Sequence, residues 1–332
     1  MSDQHESFFA SLPEAGSMPE VSVVMSVYND ARYLRGSLDS ILSQEGIDFE
    51  FIIVDDGSTD DSPKILADYA ARDSRIRVIL QENAGLTQAL ITGCQAARGE
   101  FIARQDADDV SLPERLIRQV ECLRSDPRLV FVSSQTEVIA PGGEVVIRHT
   151  RPTTPEEGTD LLLRSVSGPP GHGSVMFRRD TYHKVGGYRK EFYFAQDCDL
   201  WYRLAEQGML SYRPEFLYQY RIAPGSVSGS RNSIKQAFAT AVDECRALRR
   251  RNENEGPILE KCRTLRDRVA ESSSASEAGT LYFLGRNLLR TEPASACQYL
   301  WQSIQKQPSH LRAWICLLVS PVFFALKPAR RP

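Results

Sequence analysis

The 332-residue sequence predicts an α/β fold, an open sheet that is parallel in its first half and mixed in its second. Helices cover both faces, and a helical extension follows. Three observations lead there. Four apolar, β-branched runs alternate with amphipathic segments over residues 21–105. Acidic stretches follow the first, second and fourth of these runs. From about Ile234 the pattern is helical to the end.

The run "VSVVMSV" (21–27) has the composition of a strand buried on both faces. In "NDARYLRGSLDSILSQ", Leu34, Leu38, Ile41 and Leu42 recur at helical spacing. "FEFIIVDDGSTDDSPKILADYAARD" predicts a second strand, an acidic turn and a helix with Ser58 and Asp61 as a capping box. "IRVILQ" and "LTQALITGCQAA" repeat the alternation, and "GEFIARQ" (99–105) is the fourth strand. Each connection is too long for a hairpin, so these strands are expected to run parallel.

Next, "SLPERLIRQVECLRS" predicts a helix over 113–125, with Ser111 and Glu114 as a capping box and Pro113 in the first turn. "LVFVSSQTEVIAPGGEVVIRH" predicts two strands joined by a Gly-Gly turn. "GGY" (186–188) interrupts the chain before a short amphipathic helix at 199–208. Residues 279–312 carry a faint helical-hairpin pattern at Leu284, Gly285, Ala296, Ser303 and Pro308. A single copy cannot bury its own face, so it predicts a helical pair packed on its neighbours. "SSSAS" (272–276) predicts a loop.

Composition narrows the class. Hydrophobic residues make up 42% and charged residues 25%, the ordinary globular range. Seven cysteines stand singly with no CxxC pair, which argues against a disulfide framework or zinc site and for a reducing, cytoplasmic setting. Residues 1–19 are polar and acidic, a leader without the features of a signal peptide. The net charge of −3 conceals an asymmetry. Residues 1–230 hold 23 Lys/Arg against 34 Asp/Glu, whereas 231–332 hold 17 against 9. An acidic body without an aromatic–basic sheet face speaks against nucleic acid as a partner.

The stretch 311–332 is the least globular. Mostly apolar positions 313–326 are interrupted by Pro321 and followed by Lys327, Arg330 and Arg331. It predicts an interfacial segment on an anionic membrane surface, peripheral on the inner face of the cytoplasmic membrane. The competing reading is a final helix with Trp301 and Trp314 in the core.

Ligands of open α/β sheets bind beyond the carboxyl ends of parallel strands. There lie "VYND" (27–30), "VDDGSTDD" (54–61) and "QDADD" (105–109). Neither GxGxxG nor GxxxxGK[ST] is present to cradle phosphate. In an extended exit loop Asp106 and Asp108 converge, while Asp109 diverges or caps the next turn. Two convergent carboxylates suit Mg²⁺ or Mn²⁺ completed by water and a diphosphate; the plainer alternative is an Asp-rich helix cap. Asp197 shares the inward face of Leu200 and Trp201, where a general base would be useful, or it caps that helix. Asp199, four residues before Arg203, is expected in a surface ion pair. A Pro/Gly-rich loop at 167–179 can close over a ligand and carries His172, either as a ligand contact or as an exposed loop residue. Arg178, Arg179 and Arg221 are candidate phosphate contacts or, equally, partners in surface ion pairs.

In this order, "VVMSVYND", "VDDGSTDDS", "ENAGLTQALITGCQAARGEFIARQDADD", "LPERLIRQ", "SVMFRRD", "VGGY", "QDCDLWYRL" and "LYQYR" resemble a family 2 inverting glycosyltransferase of the GT-A fold, a Rossmann-like mixed sheet. The resemblance covers residues 20–230 and leaves 231–332 as a basic helical region. It implies that Val27, Tyr28, Asn29, Asp55 and Asp56 hold the nucleotide base and that Asn83 and Gly85 line the donor pocket. It further implies that Asp106 faces the ribose, Asp108 binds Mn²⁺ or Mg²⁺, and Asp197 deprotonates the acceptor. The donor implied is a nucleotide sugar, by default a UDP-sugar, and the acceptor a glycan or lipid-linked saccharide. Gln196 departs from the Glu usual in the family and leaves that site one negative charge short. Two other readings use the same residues. One is a nucleotidyltransferase, which would want a Gly-rich loop after the first strand. The other is a non-catalytic nucleotide-sugar-binding scaffold.

Overall fold

The computed structural model describes residues 18–165, 168–224, 233–267 and 277–320. The leader up to residue 17, the 272–276 loop and the 321–332 part of the C-terminal segment lie outside the described residues. The first half alternates as β1 (Val21–Val27), α1 (Ala31–Leu42), β2 (Phe49–Asp55), α2 (Ser62–Arg72), β3 (Ile76–Leu80), α3 (Leu86–Ala96) and β4 (Phe101–Asp106). A short β5 (Val110–Ser111) leads into α4 (Arg115–Ser125), β6 (Leu129–Ile139), β7 (Val145–His149) and α5 (Pro155–Ser165). Then come β8 (Met176–Arg178), α6 (Arg179–Lys184), α7 (Gln196–Ala205) and β9 (Met209–Arg221). The helical region holds α8 (Ser233–Arg250), α9 (Gly256–Asp267), α10 (Glu277–Leu288), α11 (Pro293–Lys306) and α12 (Leu311–Leu318).

The sheet order is β3-β2-β1-β4-β8-β6-β9-β5, with β7 beside β6. The first four strands are parallel, as the alternation predicts. Register aligns Val27 with Asp55 and Ser26 with Asp106, so the three acidic exits emerge at one edge. β8 runs antiparallel to both β4 and β6, whereas β6 and β9 are parallel, which makes the second half mixed.

Alternate residues of β1 feed opposite faces. Val24 joins a core with Leu90, Trp201 and Phe238, while Val23 and Met25 join one with Leu38, Ile65 and Leu116. The first core also takes Ala241, Val242 and Cys245 of α8 and Cys262 of α9. Those two helices therefore share the interior of the sheet domain. α10 and α11 pair as their pattern predicts: Gly285 lies so close to Leu300 that a Cβ there would sit 2.6 Å from it. With α12 they form small cores of their own, one of which includes Ala140 beside the β6–β7 turn. Trp301 and Trp314 meet edge to face at 6.1 Å but are partly exposed, so they are not core.

Both capping boxes are replaced by other contacts. At α2, Asp60 rather than Ser58 accepts from the Ser62 N–H at 2.9 Å, and Ser58 Oγ is turned to Asn29. At α4, Ser111 is drawn into the sheet opposite Tyr218, and its hydroxyl donates to Gln105 Oε1. Glu114 precedes that helix at φ 63 without a capping hydrogen bond.

Candidate active site

The exits of β1, β2 and β4 open on a cavity of about 760 Å³, closed on its other side by residues 169–172, the start of α7 and Lys235 of α8. Its acidic floor is built by hydrogen bonding between the loops. Asn29, at φ 56, accepts from Thr59 N–H at 2.8 Å and from Asp60 N–H at 3.3 Å, while its own N–H donates to Ser58 Oγ. Asp55 accepts from Ser58 N–H. Asp56 accepts from Gln81 Nε2 and from the N–H groups of Ala84 and Gly85, fixing the loop that carries Asn83. Gly57 permits that approach: its φ is +77, and a Cβ would stand 2.9 Å from the Asn83 nitrogen.

In "QDADD" the three aspartates take different environments. The fully buried Arg104 donates to Asp106 Oδ1 at 2.7 Å, and Asp106 N–H donates to Tyr218 Oη. Asp109 diverges, as the two-residue alternation predicts, and is buried against β9. There it accepts from Tyr218 Oη–H at 2.8 Å and Arg221 N–H at 2.7 Å. Asp108 keeps its carboxyl in the cavity. Burial, and then the negative charges of Asp106 and Asp30, push its pKa up to about 7. Burial likewise raises Asp30 to about 6, with Asp106 and Asp60 adding to it.

Such a cluster is short of positive charge, and a divalent cation fits it. Among the described residues, no three His, Cys, Asp or Glu side chains stand close enough to hold one unaided. Ligand oxygens would have to complete the shell.

Asp197 lines the same cavity, and its Oδ1 accepts from Cys198 N–H. Ala195, at φ 58, is the N-cap residue, so Asp197 is not the cap. Gln196 also lines the cavity. His172 lies within reach of the Asp197 and Asp106 charges and bonds Tyr188 through Nε2 at 2.6 Å. Burial, and then the nearby Arg104 charge, lower its pKa to about 4, leaving it neutral at pH 7. A close approach explains its neighbour Gly173: a Cβ there would collide with Tyr218 Oη at 1.7 Å.

Of the sequence candidates, Tyr28, Asp56, Asn83, Gly85, Asp106, Asp108, His172, Asp197 and Arg221 line the cavity. Val27 is buried beneath it, and Asn29 and Asp55 act as loop staples. Arg178 and Arg179 are not brought there. Arg178 is spent on the carbonyls of Leu129 and Leu123, and Arg179 on that of Gly99, at the opposite end of the sheet. Arg221 borders the cavity but is held by Asp108, Ala140 and Pro141 carbonyls and lies over the Tyr33 ring. Asp199 is paired with Arg203 as its spacing predicts, but it is buried. Arg189 binds it from the other side, and the two guanidiniums outweigh burial to hold its pKa below the usual value. Sequence reasoning missed Asp30, Tyr193, Phe194 and Lys235.

The chain matches the model described as Glycosyl transferase family 2 over residues 22–186. It is 36% identical over 241 residues to EpsE of Bacillus subtilis (strain 168), which is named as a glycosyltransferase; the match covers 70% of this chain and 84% of that one. To the amylovoran biosynthesis glycosyltransferase AmsE of Erwinia amylovora it is 26% identical over 292 residues, 86% and 99% of the two chains. Among solved structures, S. aureus TarS 1–349 in complex with UDP superposes with a TM-score of 0.54 at 14% identity, over 94% of this chain and 93% of that one. The Pyrobaculum calidifontis mannosyltransferase PcManGT, in complex with GDP-Man and Mn²⁺, gives 0.52 at 19%, over 93% and 87%. These likenesses show a common GT-A architecture.

Proposed function

Since the chain belongs to glycosyl transferase family 2, we propose that it is an inverting hexosyltransferase, moving a sugar from a nucleoside-diphosphate donor to an acceptor hydroxyl. The observation that carries this reading is that Asp106, Asp108 and Asp197 line one cavity whose floor is the joined loops of β1 and β2. Tyr28, Asp56, Asn83 and Gly85 form the end suited to a nucleoside, and Asp106 offers its remaining oxygen to the ribose. Asp108 would hold Mn²⁺ or Mg²⁺, an ion that neutralises charge on a leaving diphosphate. UDP is the default nucleotide; the relative solved with UDP supports it, and the one with GDP-Man keeps GDP in play.

Asp197 takes the proton of the incoming hydroxyl on the opposite face of the sugar. A single displacement of this kind inverts the anomeric centre. His172, neutral at pH 7 and tied to Tyr188, adds no positive charge beside Asp197. The acceptor is a glycan, free or lipid-linked, in polysaccharide or envelope synthesis; one relative, AmsE, is named for amylovoran biosynthesis.

Titration of UDP, GDP, TDP and CDP with Mn²⁺ and with EDTA tests the donor site. One nucleotide is expected to bind with the metal and to lose that binding in Asp108→Ala. If none binds in either condition, the reading falls. Binding without any consumption of the nucleotide sugar would instead leave a scaffold.

A further inference from the structure

One hydroxyl serves both ends of the acidic turn. Tyr218 of β9 is fully buried, and its Oη lies between Asp106 and Asp109. It accepts from the Asp106 N–H at 3.2 Å and donates to Asp109 Oδ2 at 2.8 Å. Asp108, whose carboxyl faces the cavity, stands between those two residues in the chain. Further bonds converge on the Asp106 carbonyl, which accepts from Asp109 N–H at 3.3 Å, Ser37 Oγ at 2.9 Å and Gln105 Nε2 at 3.2 Å. The turn is thus closed on itself, with the Asp108 side chain left at its tip.

The phenol ring is itself wedged in place. A Cβ on Gly171 would stand 3.6 Å from Tyr218 Cε1, and one on Gly173 would strike Oη, so the stretch that closes the cavity packs directly on the ring. On another side Arg115 of α4 holds its guanidinium over the ring, 4.8 Å from the centroid. Arg115 Nη2 also donates to the carbonyls of Gly173 and Arg104, each at 2.7 Å. Gln119, one helical turn on, donates to the Ser174 carbonyl at 2.8 Å. Tyr218 therefore has one place to stand, and its hydroxyl one direction to point.

We propose that Tyr218 is a positioning residue for the cation, its hydroxyl holding the Asp106–Asp109 turn in the shape that presents the Asp108 carboxylate. This deepens the proposed function and rests on that reading for the metal. Tyr218 does not line the cavity, so it acts through Asp106 and Asp109. A phenol suits the task because one oxygen both accepts and donates, which satisfies an amide and a carboxylate together. Burial, and then the Asp109 and Asp106 charges, raise its pKa well above the ordinary value, so the donated proton stays on the phenol. Phenylalanine would fill the same space and leave a buried N–H and a carboxylate oxygen each one partner short.

The test is titration of Mn²⁺ into the full chain with UDP, and with GDP, the free ion being counted by its paramagnetic resonance signal. Tyr218→Phe is expected to melt cooperatively and to need at least about tenfold more Mn²⁺ than wild type for half-saturation, the loss of a hydrogen bond to a charged group. Raising Mn²⁺ in the same proportion should bring nucleotide binding back to within about twofold of wild type. Unchanged Mn²⁺ uptake overturns the proposal. So does a binding defect that excess Mn²⁺ leaves in place, which would make Tyr218 a core residue only. Gly173→Ala keeps every atom of Tyr218 but forces Oη aside, and it should shift half-saturation in the same direction. Should Tyr218→Phe not fold, Gly173→Ala decides, and an unshifted titration overturns the proposal. Wild type that takes up no Mn²⁺ with either nucleotide refutes the metal reading and this inference together, whereas normal wild-type uptake with unaltered variants refutes this inference alone.

Discussion

On the proposed reading Asp108 and Asp197 divide the work of the cavity, and each makes its own prediction. With its pKa raised to about 7 by burial and by Asp106 and Asp30, Asp108 as the proposed metal ligand would bind a proton in competition with the cation. The affinity for nucleotide with Mn²⁺ should therefore rise about tenfold from pH 6 to pH 8, as the carboxyl goes from mostly protonated to mostly ionised. Calorimetry across that range checks it; a flat profile would mean that Asp108 is not the cation's ligand. Asp197→Asn keeps the shape and hydrogen-bonding capacity of the side chain but cannot take a proton. Transfer should fall by roughly 10²–10⁴ while nucleotide affinity stays within twofold, measured on one preparation. Equal losses in both would assign Asp197 to donor binding.

At the scale of the element, α7 is held by its own buried ion cluster. Asp199 receives Arg203 from within the helix and Arg189 from before it, and Arg189 also binds Glu255 at the start of α9. Asp199→Ala would leave two guanidiniums nearly buried without their shared anion, a loss of about 3–5 kcal/mol. Denaturant unfolding would show it, and a change under 1 kcal/mol would mean that the cluster is solvated. This cluster also marks where sequence reading stops. The four-residue spacing discloses the Asp199–Arg203 pair, but its burial depends on Arg189 and on α8–α9, which no local pattern reveals. Arg178 and Arg179 fail for a related reason. Because β8 is antiparallel to β4, with Met176 opposite Ala103 and Arg178 opposite Phe101, each step along it leads away from the cavity. Strand direction, invisible in a three-residue strand, decided their place. Asp30, by contrast, was within reach, since it adjoins Asn29 in the same exit loop. The four parallel strands and the convergence of their loops were legible because their signals are local: an unbroken apolar run, then a turn.

At the scale of the molecule, the motifs that carry the family resemblance stop before residue 230, yet the core crosses it. Phe238, Val242, Cys245 and Cys262 are packed with Trp201 and Leu204 of the sheet domain. A chain ended at residue 230 should therefore expose that core and fail to give a cooperative melt, whereas one ended after residue 267 should keep α8, α9 and nucleotide binding. Thermal unfolding of the two truncations decides it; a stable, cooperative 1–230 would make the helices dispensable.

The wiring of Asp109 to β9 also governs when the cavity can come into being. Its carboxylate is met by Tyr218 and Arg221, 109 and 112 residues further along the chain. At about 5–20 residues per second, a ribosome needs roughly 6–20 s to supply them after Asp109 is made. Throughout that interval the strands of the first half can pair, but the acidic loop lacks the strand that will fix it. The growing chain thus cannot set the Asp106–Asp109 loop in its final place before β9 has been synthesised.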